Sequence, residues 1–130
     1  MIGKLINSIL TSSTGITTNV AATSIFPYII NENTPLPAIT YTINSVTPSY
    51  DKDGWNGDMV VFAVVTYCAD YAILQSIVSA IREAFELERG VLSGITYLPI
   101  YLEAMEEGYN ISENVYMNRL VFHVLIHGYN

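Results

Sequence analysis

Met59-Val60-Val61-Phe62-Ala63-Val64-Val65-Thr66-Tyr67 is apolar almost without interruption. Successive side chains alternate across a strand, so Val60, Phe62 and Val64 share one face and Met59, Val61, Ala63 and Val65 the other. A run that is apolar on both faces predicts a central strand buried on both sides. Helices of the same chain can cover one side, and the other calls for a second layer from elsewhere.

The sequence on either side supplies that strand's neighbours. Downstream, Asp70 is a good N-cap. From Tyr71 to Arg89, Ile73, Ile77, Ala80, Ile81, Ala84 and Phe85 form an apolar stripe, which predicts an amphipathic helix ended by Gly90. Thr96–Glu106 and Val115–His127 then read as two long strands. Glu107-Gly108-Tyr109-Asn110 and Ser112-Glu113-Asn114 between them suggest a wide hairpin loop. In the last strand Leu120, Phe122, Val124 and Ile126 share one face, and Arg119, Val121, His123, Leu125 and His127 the other. Upstream, Pro48–Asp58 carries turn chemistry and predicts a long hairpin loop. Ile39–Ile43 alternates apolar with polar, the mark of a half-buried strand. Asn31–Pro37 reads as a loop, and Thr23–Ile30 as a short strand that Pro27 favours at an edge. Ile2, Leu5, Ile6, Ile9 and Leu10 predict a short helix over Ile2–Leu10. The expected fold is therefore α+β, one domain over 1–130. It is a mainly antiparallel sheet of about five strands packed by two helices, in the order α-β-β-β-α-β-β.

Composition narrows the function classes. The 130 residues are 51% apolar and only 13% charged, the reverse of a disordered composition. With so few charges, some apolar or aromatic surface should be left for a partner, and ten tyrosines suit such surfaces. The net charge is −7, and the five cations, Lys4, Lys52, Arg82, Arg89 and Arg119, are scattered. No basic stripe exists to neutralise phosphates, which argues against tight sequence-independent nucleic-acid binding and against attachment to anionic lipid. Cys68 stands alone, so there is no disulfide framework and no cysteine zinc site, which is compatible with a reducing compartment. The apolar stretch after Lys4 is too short and too interrupted for a secretory segment or a membrane span, and folding in a cytoplasm is expected.

Four constellations invite chemistry. His123 and His127 lie on one face of a strand but about 13 Å apart, too far to share a metal. A structural role suits them, or a pH-sensitive contact with a neighbouring subunit. Asp51, Asp53 and Asp58 superficially resemble a calcium loop, but Gly54 comes too early and Trp55 interrupts the ligands. They read as a solvated hairpin tip. Glu103, Glu106, Glu107 and Glu113 form an acidic cluster that reads as a solvated face, or as an electronegative wall lining a channel. Cys68 matches no cysteine-enzyme signature and reads as an inert packed thiol. There is no phosphate-cradling loop and no nucleophile elbow. No catalytic residue, metal or cofactor is expected, so the chain reads as a non-enzyme.

Ile25-Phe26-Pro27-Tyr28, then Leu36-Pro37-Ala38-Ile39-Thr40-Tyr41, then Val65-Thr66-Tyr67-Cys68-Ala69-Asp70 running into the amphipathic helix, resembles the tail-completion family of long-tailed bacteriophages. Its members are also called tail terminators or head–tail joining proteins. The resemblance covers most of residues 20 to 90 and after Gly90 rests on architecture. It implies a virion structural protein that caps the tail tube as a homo-oligomeric, hexameric ring and joins the tail to the head connector. The implied partners are the tail-tube protein and the connector or adaptor proteins, with DNA only passing through the lumen and no membrane. The implied location is the tail end or neck of the virion, and the host cytoplasm during assembly. The family brings no catalytic residues. An acidic lumen would repel DNA phosphates and let the duplex slide.

Two loops are the candidate partner contacts: Tyr50–Asp58, with Tyr50, Asp51, Asp53, Trp55 and Asp58, and Glu106–Asn114, with Glu106, Glu107, Tyr109 and Glu113. Both exceed the about two to five residues usual for hairpin connections. Trp55 is the only tryptophan and suits an anchor, with packing back onto its own sheet as the alternative. Two other functional readings stay open. One is another tail or neck component, such as a tube or minor tail protein. The other is a small enzyme or ligand-binding module using an apolar pocket with Cys68 or the histidines.

Overall fold

The computed structural model describes residues 2–30, 34–92 and 94–127, with the side chains of Asp51 and Trp55 outside that description. The elements run α1 (Ile2–Ser12), α2 (Thr14–Thr17), a 3-10 turn (Ala22–Ser24), β1 (Ile25–Pro27), β2 (Ala38–Asp51), β3 (Gly54–Cys68), α3 (Tyr71–Phe85), β4 (Gly90–Leu92), β5 (Ile95–Tyr97), β6 (Tyr101–Asn110) and β7 (Val115–His127). The α+β class is as expected. Among the described residues the sheet has seven strands instead of five, and there are three α-helices instead of two. Its order is β1-β2-β3-β7-β5-β4, with β6 also paired to β7. Only β1–β2 is parallel; every other pair is antiparallel.

β3 is the central strand, with β2 on one side and β7 on the other. One face of the sheet carries Ile39, Tyr41, Val60, Phe62, Val64, Leu120, Phe122, Val124 and Ile126, which join the buried residues of α1 and α3 in one core. Phe62, Phe85 and Phe122 sit at its middle with ring centroids 5.1 to 5.6 Å apart. Among the described residues, no helix covers the other face. There Ala63, Val65 and Val121 are buried between their strand neighbours, while Val61, Tyr67, Met117, Arg119, His123 and Leu125 are half-buried. The alternation foreseen in β3 and β7 is therefore present, and the second layer is not supplied by the described residues of this chain. Pro27 lies on an edge strand, where its missing donor breaks no ladder.

Helix α3 starts as its cap demands: Asp70 Oδ1 accepts from the amides of Ala72 at 2.9 Å and Ile73 at 3.2 Å. Its buried stripe is Leu74, Ile77, Val78, Ile81 and Phe85. Relative to the expected stripe the helix is rotated, so Ile73 is exposed and Ala80 lies at the margin, where Gly15 of α2 approaches it closely. The helix ends at Phe85, short of Gly90. Leu87 adopts a left-handed φ of 63° and donates to Ile100 O at 2.7 Å, and Ile100 donates to Glu88 O at 3.0 Å. Residues 87–92 are drawn into a hairpin with 95–100, and Gly90 opens β4 instead of capping the helix. This hairpin adds β4, which at three residues is too short to show a period. It also breaks the single strand expected over Thr96–Glu106 into β5 and β6, with Leu98-Pro99-Ile100 between them bonded back to Leu125 and Glu88.

Both expected hairpin loops are mostly strand. β2 and β3 stay paired out to Asp51↔Gly54, which leaves only Lys52-Asp53 as the turn. β6 and β7 stay paired out to Asn110↔Val115, which leaves Ile111–Asn114. Polar and glycine residues that resemble loop chemistry lie in the paired strands of two arms, β2–β3 and β6–β7: only Ser49–Asp51 with Gly54–Gly57, and Asn110 with Val115, extend past the pairing of β3 with β7. Bulges at Asn44, Asn56 and Glu103 absorb the extra residues. Gly57 shows why a glycine is needed inside one arm. Its φ is 137°, and a Cβ there would lie 2.7 Å from the Ile126 carbonyl oxygen. The loop expected over Asn31–Pro37 falls partly outside the described residues; Ser24 is buried in the preceding turn, and Ile25–Pro27 is all that forms of the strand expected over Thr23–Ile30.

Candidate functional site

The β6–β7 arm carries the acidic residues, and the sheet sorts them by face. Paired residues on neighbouring strands share a face. Glu106 lies opposite Arg119 on the open face, with an ion pair of 3.0 Å. Glu103 at the bulge reaches His123 Nδ1 at 3.2 Å, a pair that is charged only when the imidazole is protonated. The Tyr101 ring lies 5.5 Å from the His123 ring. Glu107 points to the helix side instead. Its carboxylate accepts from Tyr71 Oη at 3.0 Å and from Asn118 Nδ2 at 3.3 Å, which ties β6 to the start of α3. The carboxylate holds the Tyr71 phenol in its neutral form, so that the Tyr71 pKa is raised. Tyr109 donates to Asn114 Oδ1 at 2.9 Å and packs its ring 4.6 Å from that of Tyr116. Glu113 stands in the turn, where its amide donates to Asn110 Oδ1 at 3.2 Å. The four carboxylates thus make no single patch: Glu103 and Glu106 face one way, beside His123 and Arg119, and Glu107 faces the other.

Beside this turn lies an open hollow of about 560 Å³ lined by Tyr67, Tyr109, Ile111, Glu113, Val115 and Met117. Ile111 at the turn is 80% exposed.

The β2–β3 arm is different in character. Tyr50 is exposed on β2, and Asp53 is exposed in the turn. Asp58, expected at a solvated tip, is buried on β3 opposite Pro48 and Ile126. It is removed from the tip because pairing continues well past it. Asp51 is the last residue of β2 and Trp55 the second of β3, but their side chains lie outside the described residues.

The chemistry-bearing residues do not converge. Cys68 is buried on the helix side of β3 in line with Val64, while His123 and His127 are on the open face of β7, so the sheet lies between the thiol and either imidazole. Among the described residues, no group of three His, Cys, Asp or Glu side chains is placed to hold a metal ion. No helix among them is long and apolar enough to cross a membrane. What the structure does bring together is two arms at opposite ends of the sheet.

No family model matches this sequence, and no curated protein sequence matches it. The fold does have a counterpart. A chain in the virion of a native gene transfer agent particle superposes with a TM-score of 0.78 at 16% sequence identity, over 95% of this chain and 92% of that one. At that identity the likeness is one of fold.

Proposed function

We propose that this chain is a virion structural protein that caps the tail tube as a closed ring and joins the tail to the head connector. The observation that carries the reading is the near-complete fold likeness to a chain of a virion particle, which leaves almost no part of either chain unmatched. The tail-completion resemblance of residues 20 to 90 supports it independently. So does the shape of the fold: among the described residues helices cover one face of the sheet, and the β2–β3 and β6–β7 turns lie at two different ends. A closed ring needs two different contact patches on each copy. With Glu103 and Glu106 on the open face, that face would form an acidic lumen wall only if their charges outweigh Arg119 and His123.

Electron microscopy of the purified protein, alone and mixed with tail tubes, tests the proposal. Closed six-fold rings, or a ring-shaped cap on the tube end, are the expected result. A chain that leaves tubes uncapped and unringed would overturn it. The likeness to a virion particle also fits another tail or neck component, such as a tube protein, and open stacks in the same images would favour that reading. A basic lumen in an assembled ring would remove the proposed sliding surface for DNA.

A further inference from the structure

β2 and β6 are both outer strands for most of their length. β1 pairs only with Ile39–Tyr41 of β2. The Tyr28 amide donates to Tyr41 O at 2.9 Å, so Ile39, Tyr41 and Ile43 direct their backbone groups outward, and Ile43 N–H meets Tyr28 Oη at 3.4 Å. Past the Asn44 bulge the alternation resumes with Val46 and Pro48 pointing outward, since their partners Val60 and Asp58 point to β7. At the other end, Leu98 N–H donates to Leu125 O at 2.9 Å, which places the odd-numbered residues of β7 toward β5 and β6. Ala104, Glu106, Gly108 and Asn110 therefore bond to β7, and Met105, Glu107 and Tyr109 point their backbone groups away from the sheet. Among the described residues, no backbone hydrogen bond takes up these outer groups of Val46, Pro48, Met105, Glu107 or Tyr109.

The side chains of the two edges match face by face. On the helix side β2 exposes Val46 (47%) and Tyr50 (68%), and β6 exposes Met105 (50%) and Tyr109 (47%). On the open side β2 carries Thr42, Ser45, Thr47 and Ser49, and β6 carries Glu103, Glu106 and Asn110. Thr42–Tyr50 has no charged residue, whereas β6 has three carboxylates. Pairing β6 with a second β6 would set carboxylates opposite one another, which is unfavourable. Pairing β2 with a second β2 would leave Met105 and Tyr109 uncovered. Pairing β2 with β6 sets Val46 and Tyr50 against the row of Met105, Glu107 and Tyr109, where Glu107 is already held by Tyr71 and Asn118, and sets hydroxyls against Glu103 and Glu106. Direction allows it too. β3 opposes β2, β7 opposes β3 and β6 opposes β7, so β2 and β6 run oppositely. Rotation about an axis along the strands preserves direction, so one copy's β2 meets the next copy's β6 antiparallel.

We infer that successive copies join edge to edge, the outer edge of β2 in one copy pairing antiparallel with the outer edge of β6 in the next. This rests on the ring reading above. The contact is heterologous, so it propagates from copy to copy, and the ring reading requires that its rotation close. Pro48 withholds one donor and centres the pairing on Val46, which restrains either edge from pairing indiscriminately.

Cysteine pairs test it, with Val46→Cys combined with Met105→Cys or with Tyr109→Cys; Cys68 is buried and stays silent. Mild oxidation of at least one double variant is expected to give a covalent ladder up to ring size, and each single variant only monomer. Rings that assemble while neither pair cross-links, or dimers from Val46→Cys alone, would overturn the inference and leave the ring reading standing. A second arm uses Met105→Pro, which removes an outward donor and no β6–β7 bond. Self-association should weaken about tenfold or more with unchanged circular dichroism; undiminished assembly would count against the inference. If the unsubstituted chain forms no ring alone or on tubes, the ring reading itself fails and takes the inference with it.

Discussion

The two arms of this sheet are built alike and finished differently. Each is an antiparallel pair with bulges, at Asn44 and Asn56 in the first and at Glu103 in the second. The β2–β3 arm ends in a two-residue turn, is uncharged over Thr42–Tyr50 and depends on Gly57 for close backbone approach to β7. The β6–β7 arm ends in a four-residue turn and is held by side chains: Glu106 to Arg119, Glu107 to Tyr71 and Asn118, and Tyr109 to Asn114. Asp53, Asn56 and Asp58 of the β2–β3 arm also make interactions, so the difference lies in turn length and in the charge carried by the outer strand. The difference suits arms that meet different surfaces.

The largest effect should erase the comparison altogether. Phe122 is fully buried between Phe62 and Phe85 on the strand common to both ends of the sheet. Phe122→Ala should cost about 3–5 kcal/mol in urea unfolding, and hydrogen exchange should rise in both arms together. Gly57→Ala should act on one arm. The positive φ and the clash with Ile126 O should cost about 1–3 kcal/mol, with exchange rising in β2–β3 first. Equal loosening of both arms would show that they are not separate units.

Glu107→Ala should act on the other arm. It removes two hydrogen bonds and leaves the buried Asn118 amide, whose Oδ1 already has no partner among the described residues, unsatisfied. The expected cost is about 1–2 kcal/mol, read by thermal or urea unfolding, with α3 and β6 exchanging faster. Glu106→Ala should cost less than about 1 kcal/mol, because its pair with Arg119 is solvent-accessible, and added salt should shrink the difference. The smallest effect is a pH dependence. The Tyr71 pKa is raised by its bond to Glu107, so the bond's contribution is complete below the ordinary tyrosine value and is lost as pH rises through the higher folded value. Burial also raises Tyr41 and Tyr97, so ultraviolet titration should show three tyrosines ionising late, and Glu107→Gln should bring one of them, Tyr71, back toward the ordinary range.

Much of the fold was legible because it is written in local periods. The doubly apolar run Met59–Tyr67 announced the central strand, and the alternation of Arg119–His127 announced the two faces of β7. Asp70 announced the helix start. Pro27 announced an edge. The candidate contact residues were less legible. Gly54, Gly57, Asn110 and Asn114 look the same in a loop as in a paired arm with bulges, so both arms read as loops. Glu103, Glu106 and Glu107 look like one acidic cluster, because adjacency in sequence hides the alternation and the bulge that send them to opposite faces. The signal that was available is the even spacing of Glu107 and Tyr109, which a strand reading of that segment would have placed together on the helix side.

By itself the sequence determined which segments are apolar, with what period, and where the helix must begin, since those depend on each residue and its near neighbours. Tertiary structure alone decided how far the hairpins stay paired, which side of α3 turns inward, why Leu87 and not Gly90 ends that helix, and which two strands are left with open edges. Those outcomes depend on hydrogen bonds and contacts between residues far apart in the chain, such as Leu87 with Ile100, Gly57 with Ile126 and Glu107 with Tyr71, whose partners no local pattern specifies.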